Sequence, residues 1–274
     1  EFPFGLHVTS DVTELDLREY TVEDPVSLIE KLKLLPKLTF LDLSDCGLTD
    51  EQNASVRDAL PDTKVVWMLH LVYWDIRTDV VAFSTGYRSR IPFPDGKGWY
   101  TNVGGKFSYK KLTTKSMEQL KYCTDLVALD IGHSEILDLS VISNCTKLKY
   151  LVIALMDVTD ISPLKNLPNL VYIEAFYNML EDDDMDVFVG MKNLKYLNVG
   201  GNDIYDIDIL KQLTNLDRLW VNLAFLTDEE AEELKAALPN TEVHVNRYKD
   251  PGGDGWPFDN PGYDEMRALF GFKY

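Results

Sequence analysis

One spacing constrains this chain more than any other property. A pattern of the form L-x-x-L-x-L recurs at Leu126 (LVALDI), Leu148 (LKYLVI), Leu170 (LVYIEA), Leu194 (LKYLNV) and Leu216 (LDRLWV), in steps of 22, 22, 24 and 22 residues. Two further units start at Val12 and Leu38, and weaker ones at Asp62, Gly104 and Asn240. A repeat of this length is one supersecondary unit that cannot bury its apolar face alone, so successive units must stack.

A second register runs in phase with the first. Counting the first residue of a unit as one, position eleven is apolar in seven units (Val22, Leu48, Ile136, Val158, Leu180, Ile204, Leu226). Position thirteen is aspartate in the same seven: Asp24, Asp50, Asp138, Asp160, Asp182, Asp206 and Asp228. Alternating apolar residues at positions four and six predict a short strand. Aspartate at position thirteen predicts a helix start, where its carboxylate accepts from free first-turn amides. The segment from Leu48 (LTDEQNASVRDALPDTKVVW) is echoed from Leu226 (LTDEEAEELKAALPNTEVHV), repeating helix, Leu-Pro stop and strand in order.

These residues resemble leucine-rich repeats, most nearly the internalin-like class with 22-residue units; VTDISPLKNLPNL, from Val158, follows that pattern almost residue for residue. The resemblance implies an α/β leucine-rich repeat solenoid, a curved horseshoe. Its parallel sheet would line the concave face, with short helices and 3₁₀ turns on the convex face. The family's Asn or Cys at position nine is kept at Cys46, Asn178 and Asn202 and lost at Ser134, Met156 and Ala224, so the asparagine ladder should be interrupted. The resemblance also implies a secreted or cell-surface bacterial protein. No signal peptide is visible; the chain opens Glu-Phe-Pro-Phe-Gly without Met, which reads as a trimmed or mature form and leaves room for a removed targeting segment.

A single domain over residues 1–274 is expected, with repeats at about 12–67 and 104–245. Residues 68–103 break the period, because the step from Asp62 to Gly104 is 42 residues. This aromatic, Gly- and Pro-rich segment holds Arg77, Arg88, Arg90 and Lys97. It reads as a strand or hairpin plus a long loop that packs on the flank or joins a binding surface. Residues 246–274 should cap the last coil through Trp256, Phe258, Tyr263, Met266, Leu269 and Phe270, with a short helix from Tyr263 to Phe270.

Composition serves mainly to exclude. There are 27 basic and 45 acidic residues, a formal charge of −18. Nucleic acid is a poor partner for such a surface, and so is an anionic membrane. No apolar run reaches the length of a membrane helix; the most apolar stretch, Val65 to Trp74, contains His70. No phosphate loop, nucleophile elbow or metal-ligand spacing is present. His133 and His244 lie five coils, about 24 Å, apart at ~4.8 Å per strand, too far for a catalytic pair. No enzyme activity, cofactor or metal is expected, and the acidic clusters at Asp182–Asp184 and in the C-terminal tail read as helix starts and surface. Cys123 and Cys145 occupy one core position in adjacent units and read as free thiols.

The candidate site is the concave face, where positions three, five, seven and eight point outward. Tyr150, Tyr172 and Tyr196 form a column there, continued by Arg218; Glu174, Asn198 and Trp220 stand beside it, with Phe176 and Tyr177 next along the chain. Gly200 and Gly201 leave a gap. Cross-strand packing accounts for such a column at ~0.2–1 kcal/mol per pair. A recognition surface accounts for it too, since Tyr, Trp and Arg dominate binding hot spots. The expected function is non-catalytic binding of a protein or peptide by a monomer, with a glycan ligand or a structural spacer as alternatives.

Overall fold

The computed structural model describes residues 2, 4–86, 101–102, 112–222, 224–246, 248, 249, 251 and 255–271, and only the backbone of Thr101 and Asn102. The fold is that of a leucine-rich repeat protein, in which parallel strands alternate with short helices and 3₁₀ turns. The chain forms two compact units, Glu1–Asp79 with Tyr100–Val103, and Val80–Trp99 with Gly104–Tyr274.

In the first unit, β1 (Glu14–Asp16), α1 (Pro25–Leu32), β2 (Phe40–Asp42), α2 (Asp50–Ala59) and β3 (Lys64–Val66) follow in order. The strands pair in parallel, with Leu15 opposite Leu41 and Leu41 opposite Val65. These position-four residues and their position-six neighbours Leu17, Leu43 and Trp67 are buried, as period-two alternation requires. Next come β4 (Met68–His70) and β5 (Trp74–Arg77), an antiparallel hairpin. It accounts for the start of the irregular segment. Arg77 is buried in an ion pair with Asp79, Nε to Oδ1 2.8 Å.

In the second unit, β6 (Ala82–Ser84) opens a seven-stranded parallel sheet, whereas β7 (Thr101–Asn102) pairs antiparallel with β5 in the first unit. The sheet continues through β8 (Ala128–Asp130), β9 (Tyr150–Val152) and β10 (Tyr172–Glu174). After α3 (Asp186–Val189) comes β11 (Tyr196–Asn198), and after α4 (Ile207–Leu210) comes β12 (Arg218–Trp220). α5 (Asp228–Ala237) precedes the edge strand β13 (Glu242–His244), and α6 (Pro261–Leu269) closes the described chain. Among the described residues, 3₁₀ segments Lys115–Tyr122, Leu139–Ile142 and Ser162–Asn166 stand where coils have no α-helix, and a fourth, Asp182–Met185, leads directly into α3.

Two expectations need correction. The strand before β8 is not the one expected at Gly104, which lies outside the described residues. Phe83 pairs directly with Leu129, so β6, from within the segment assigned as an insertion, is the neighbouring repeat strand. Val80 takes the unit's first position, an assignment its departure from the Leu consensus hides. Residues 87–100 of that segment also lie outside the described residues.

The aspartates of position thirteen do not all cap. Asp24, Asp138, Asp160 and Asp206 accept from the amides of Val26, Ser140, Ser162 and Asp208 at 2.8–2.9 Å. In two coils the threonine before the aspartate caps instead and the helix starts one residue earlier: Thr49 and Thr227 form capping boxes with Gln52 and Glu230. Asp50 accepts from Trp67 Nε1 at 2.9 Å. Asp182 accepts from the amides of Tyr205 and Asp206 in the next coil.

Position nine behaves as its chemistry dictates. Asn178 donates to the carbonyls of Ile153 and Ala175 and accepts from the amides of Met156 and Val158. Asn202 repeats the arrangement one coil on. Ser134 reaches only within its own coil, to the Ile131 carbonyl and Ile136 amide. Cys46, Cys123 and Cys145 are buried thiols outside any disulfide, and burial pushes the Cys145 thiol up to about 12.

Candidate functional site on the inner face of the sheet

The face of the seven-stranded sheet turned away from the helical segments is built by positions three and five of each coil. Register places Tyr150, Tyr172, Tyr196 and Arg218 opposite one another in turn. The tyrosine rings follow at centroid spacings of 6.4 and 6.2 Å, each tilted about 45° to the next. The column expected from the sequence therefore exists, but it is not an open surface. Tyr172 is 0% exposed and Trp220 2%; Tyr150, Glu174, Phe176, Asn198 and Arg218 are buried too, while Tyr177 and Tyr196 are half-buried.

What covers the face is the chain's own C-terminal segment. Trp256 seats its indole between Tyr172 and Trp220, at centroid distances of 5.5 and 5.7 Å. Its Nε1 donates to Tyr172 Oη at 2.7 Å and to Glu174 Oε1 at 3.0 Å. Tyr172 in turn donates its hydroxyl to Glu174. Arg218 donates Nη1 to the carbonyls of Trp256 (3.2 Å) and Phe258 (2.9 Å) and Nη2 to that of Asp259 (3.1 Å). Its Nε is held by Glu242 at 2.7 Å. Asn198 Nδ2 donates to the Pro251 carbonyl at 2.7 Å. Further along, the Tyr150 hydroxyl bonds Glu265 of α6.

Shape explains the glycines. A Cβ on Gly200 would lie 2.4 Å from Pro251 Cβ, so the expected gap is filled by the tail itself. A Cβ on Gly262 would lie 2.6 Å from the Tyr196 ring and 2.9 Å from that of Tyr172, so α6 rests directly on the column. The helix begins at Pro261, capped by Asn260, earlier than the expected Tyr263. The tail thus spreads its contacts over β9 to β12. Trp256, Met266 and Phe270 are buried, and Phe258 is 70% exposed. Phe176 and Tyr177 pack edge-on against each other at 6.0 Å, and Tyr177 adopts φ +50° where the chain leaves the sheet.

The electrostatics follow from burial. Desolvation pushes Glu174 up to about 7, against the hydrogen bonds from Tyr172 and Trp256, which favour its charged form. Burial and the facing Glu174 carboxylate together hold the Tyr172 hydroxyl well above its ordinary range. Among the described residues no cluster of three or more His, Cys, Asp or Glu side chains is arranged to hold a metal ion. No helix among them is long and apolar enough to cross a membrane.

Sequence reasoning found the sheet side of this site and missed its other half. Pro251, Trp256, Gly262 and Glu265 lie outside the repeat, so no period assigns them a partner. Their apolar content signalled burial, without saying against which strands.

A family model described as Leucine Rich repeat matches residues 35–51 and 190–209. The fold is similar to internalin C2 of Listeria monocytogenes (27% identity, TM-score 0.42), over 50% of this chain and 61% of that one. It is also similar to an internalin (inlF) of the same organism (22%, TM-score 0.43; 89% and 58% of the two chains). A third similar structure is the Leptospira interrogans LRR protein LIC12759 (18%, TM-score 0.45; 86% and 55%). The chain therefore spans less than two thirds of the length of each of these structures. No curated protein sequence gives a significant match.

Proposed function

We propose that this leucine-rich repeat chain is a non-catalytic peptide-binding module of a secreted or cell-surface bacterial protein. Its recognition surface is the inner face around Tyr150, Tyr172, Glu174, Phe176, Tyr177, Tyr196, Asn198, Arg218 and Trp220. Leucine-rich repeat domains are generally protein-binding modules. The observation that carries the reading is how the face holds its own tail. Arg218 takes three main-chain carbonyls and Asn198 a fourth, which is recognition of a polypeptide backbone rather than of particular side chains. The slot between Tyr172 and Trp220 adds selection for one large aromatic with a hydrogen-bond donor. A partner peptide with a similar aromatic anchor competes with the tail for this surface.

The test is selection of displayed random peptides on the full chain carrying Trp256→Ala, whose own anchor is gone. Enrichment of peptides with a Trp or Tyr anchor, displaced by a synthetic peptide of residues 248–271, is the expected result. Peptides that bind equally well after Arg218→Ala would contradict the site. Recognition of glycans on an array, with no peptide enriched, would replace the peptide by a sugar.

A further inference from the structure

Among the described residues the sheet of the second unit ends at β13, and no strand of the tail pairs with it. Val243 and Val245 occupy positions four and six of the last coil. Their equivalents Leu129, Leu151, Ile173, Leu197 and Leu219, and Ile131, Ile153, Ala175, Val199 and Val221, are all 0% exposed, whereas Val243 and Val245 are half-buried. The main chain is equally incomplete. Glu242 N donates to the Asp217 carbonyl (2.8 Å) and His244 O accepts from the Val221 amide (2.9 Å), so the even residues face β12. In a parallel ladder the intervening residues point the other way. The N–H and C=O of Val243 and the N–H of Val245 therefore face outward from the edge.

We propose that this edge is an interface for a second copy of the chain, two β13 strands pairing antiparallel about a twofold axis through Val243. The proposal stands independently of the peptide-binding reading. The strand is self-complementary in this register. Val243 faces its own symmetry mate on the core side, and each Val243 exchanges N–H and C=O with the other. Thr241 faces Val245, so the outward Val245 N–H meets the Thr241 carbonyl, while the Thr241 N–H is already spent on Leu238 O (3.0 Å). On the inner side Glu242 of each copy faces His244 of the other. In one chain these two already touch, Nε2 to Oε1 2.7 Å, so pairing builds a ring of alternating acid and imidazole. Hydrogen-bonded polar pairs and β-branched pairs are favourable cross-strand neighbours, and an isologous contact closes on itself. An unmodified edge of this kind is otherwise a liability.

A contact of one short strand pair belongs to the weak class of interfaces. Sedimentation equilibrium of the full chain over a wide concentration range, with salt added to screen the −18 charge of each copy, reads it directly. The expected result is a mass rising from 31.3 kDa toward twice that value. Val243→Lys sets two cations face to face at the axis, and His244→Glu sets acid against acid; each should weaken association at least tenfold in a chain that still gives the folded circular dichroism spectrum. A dimer unaffected by both variants would overturn the proposal. So would a monomer at every concentration, which would leave the edge to a strand of another protein.

Discussion

The indole nitrogen of Trp256 lies 2.7 Å from the hydroxyl oxygen of Tyr172, 84 residues away in sequence. That bond ties the irregular tail to the middle strand of the repeat. Around it, the inner face of a sheet whose positions are free to vary becomes a buried layer.

Trp256 should therefore be a stability residue as well as an anchor. Trp256→Ala is expected to cost about 3–5 kcal/mol, the range for emptying a large aromatic site. Trp256→Phe keeps most of the ring but leaves the buried Glu174 with one donor fewer, for about 1–3 kcal/mol. Urea unfolding of both variants beside the wild type gives the two numbers and their order.

Arg218 cannot be replaced by the other basic residue. Its guanidinium serves three tail carbonyls and Glu242 at once, a fork that an ammonium does not reproduce. Arg218→Ala and Arg218→Lys are both expected to lose about 2–4 kcal/mol and to raise amide exchange in residues 256–271. Full rescue by lysine would mean that charge alone matters.

Stability should carry the mark of Glu174. Its folded value of about 7 lies above the ordinary 4.5, so the folded state holds this proton more tightly than the unfolded state does. The contribution is best below about pH 4.5, falls as pH rises to about 7, and levels off above. Glu174→Gln mimics the protonated acid. It should match the wild type near pH 4 and exceed it by about 3 kcal/mol at pH 8. Parallel stability curves for the two proteins across this range would contradict the assignment.

Gly262→Ala runs against propensity. Alanine favours a helix by about 1 kcal/mol over glycine, yet a Cβ here strikes the Tyr196 and Tyr172 rings. The variant should be less stable than the wild type and should release Tyr196 to solvent, read by tyrosine accessibility. A gain in stability would show that α6 does not rest on the column.

The fold was readable because the repeat states one pattern many times. Leu129, Leu151, Ile173 and Leu197 each announce the same buried position, and Asn178 and Asn202 announce the ladder that joins their coils. Position thirteen was only half-readable: local competition between Thr49 and Asp50, or Thr227 and Asp228, decides which residue caps, and a repeat average hides it. β6 was missed because Val80 and Phe83 carry the pattern once, in a stretch of irregular spacing. The tail's docking lay beyond sequence reading for a different reason. Contacts such as Tyr150 to Glu265 and Trp256 to Tyr172 join a periodic element to an aperiodic one, and only three-dimensional complementarity selects them. The same tyrosines that read as exposed recognition residues are those the tail buries.

The most direct test is a titration of the full chain carrying Trp256→Ala with a synthetic peptide of residues 248–271, followed by calorimetry. If the inner face is a peptide-binding surface held closed by the tail, the peptide binds saturably at one site per chain. Binding then disappears when Arg218→Ala is added. A folded Trp256→Ala protein that takes up no peptide, or takes it up regardless of Arg218, would contradict the account.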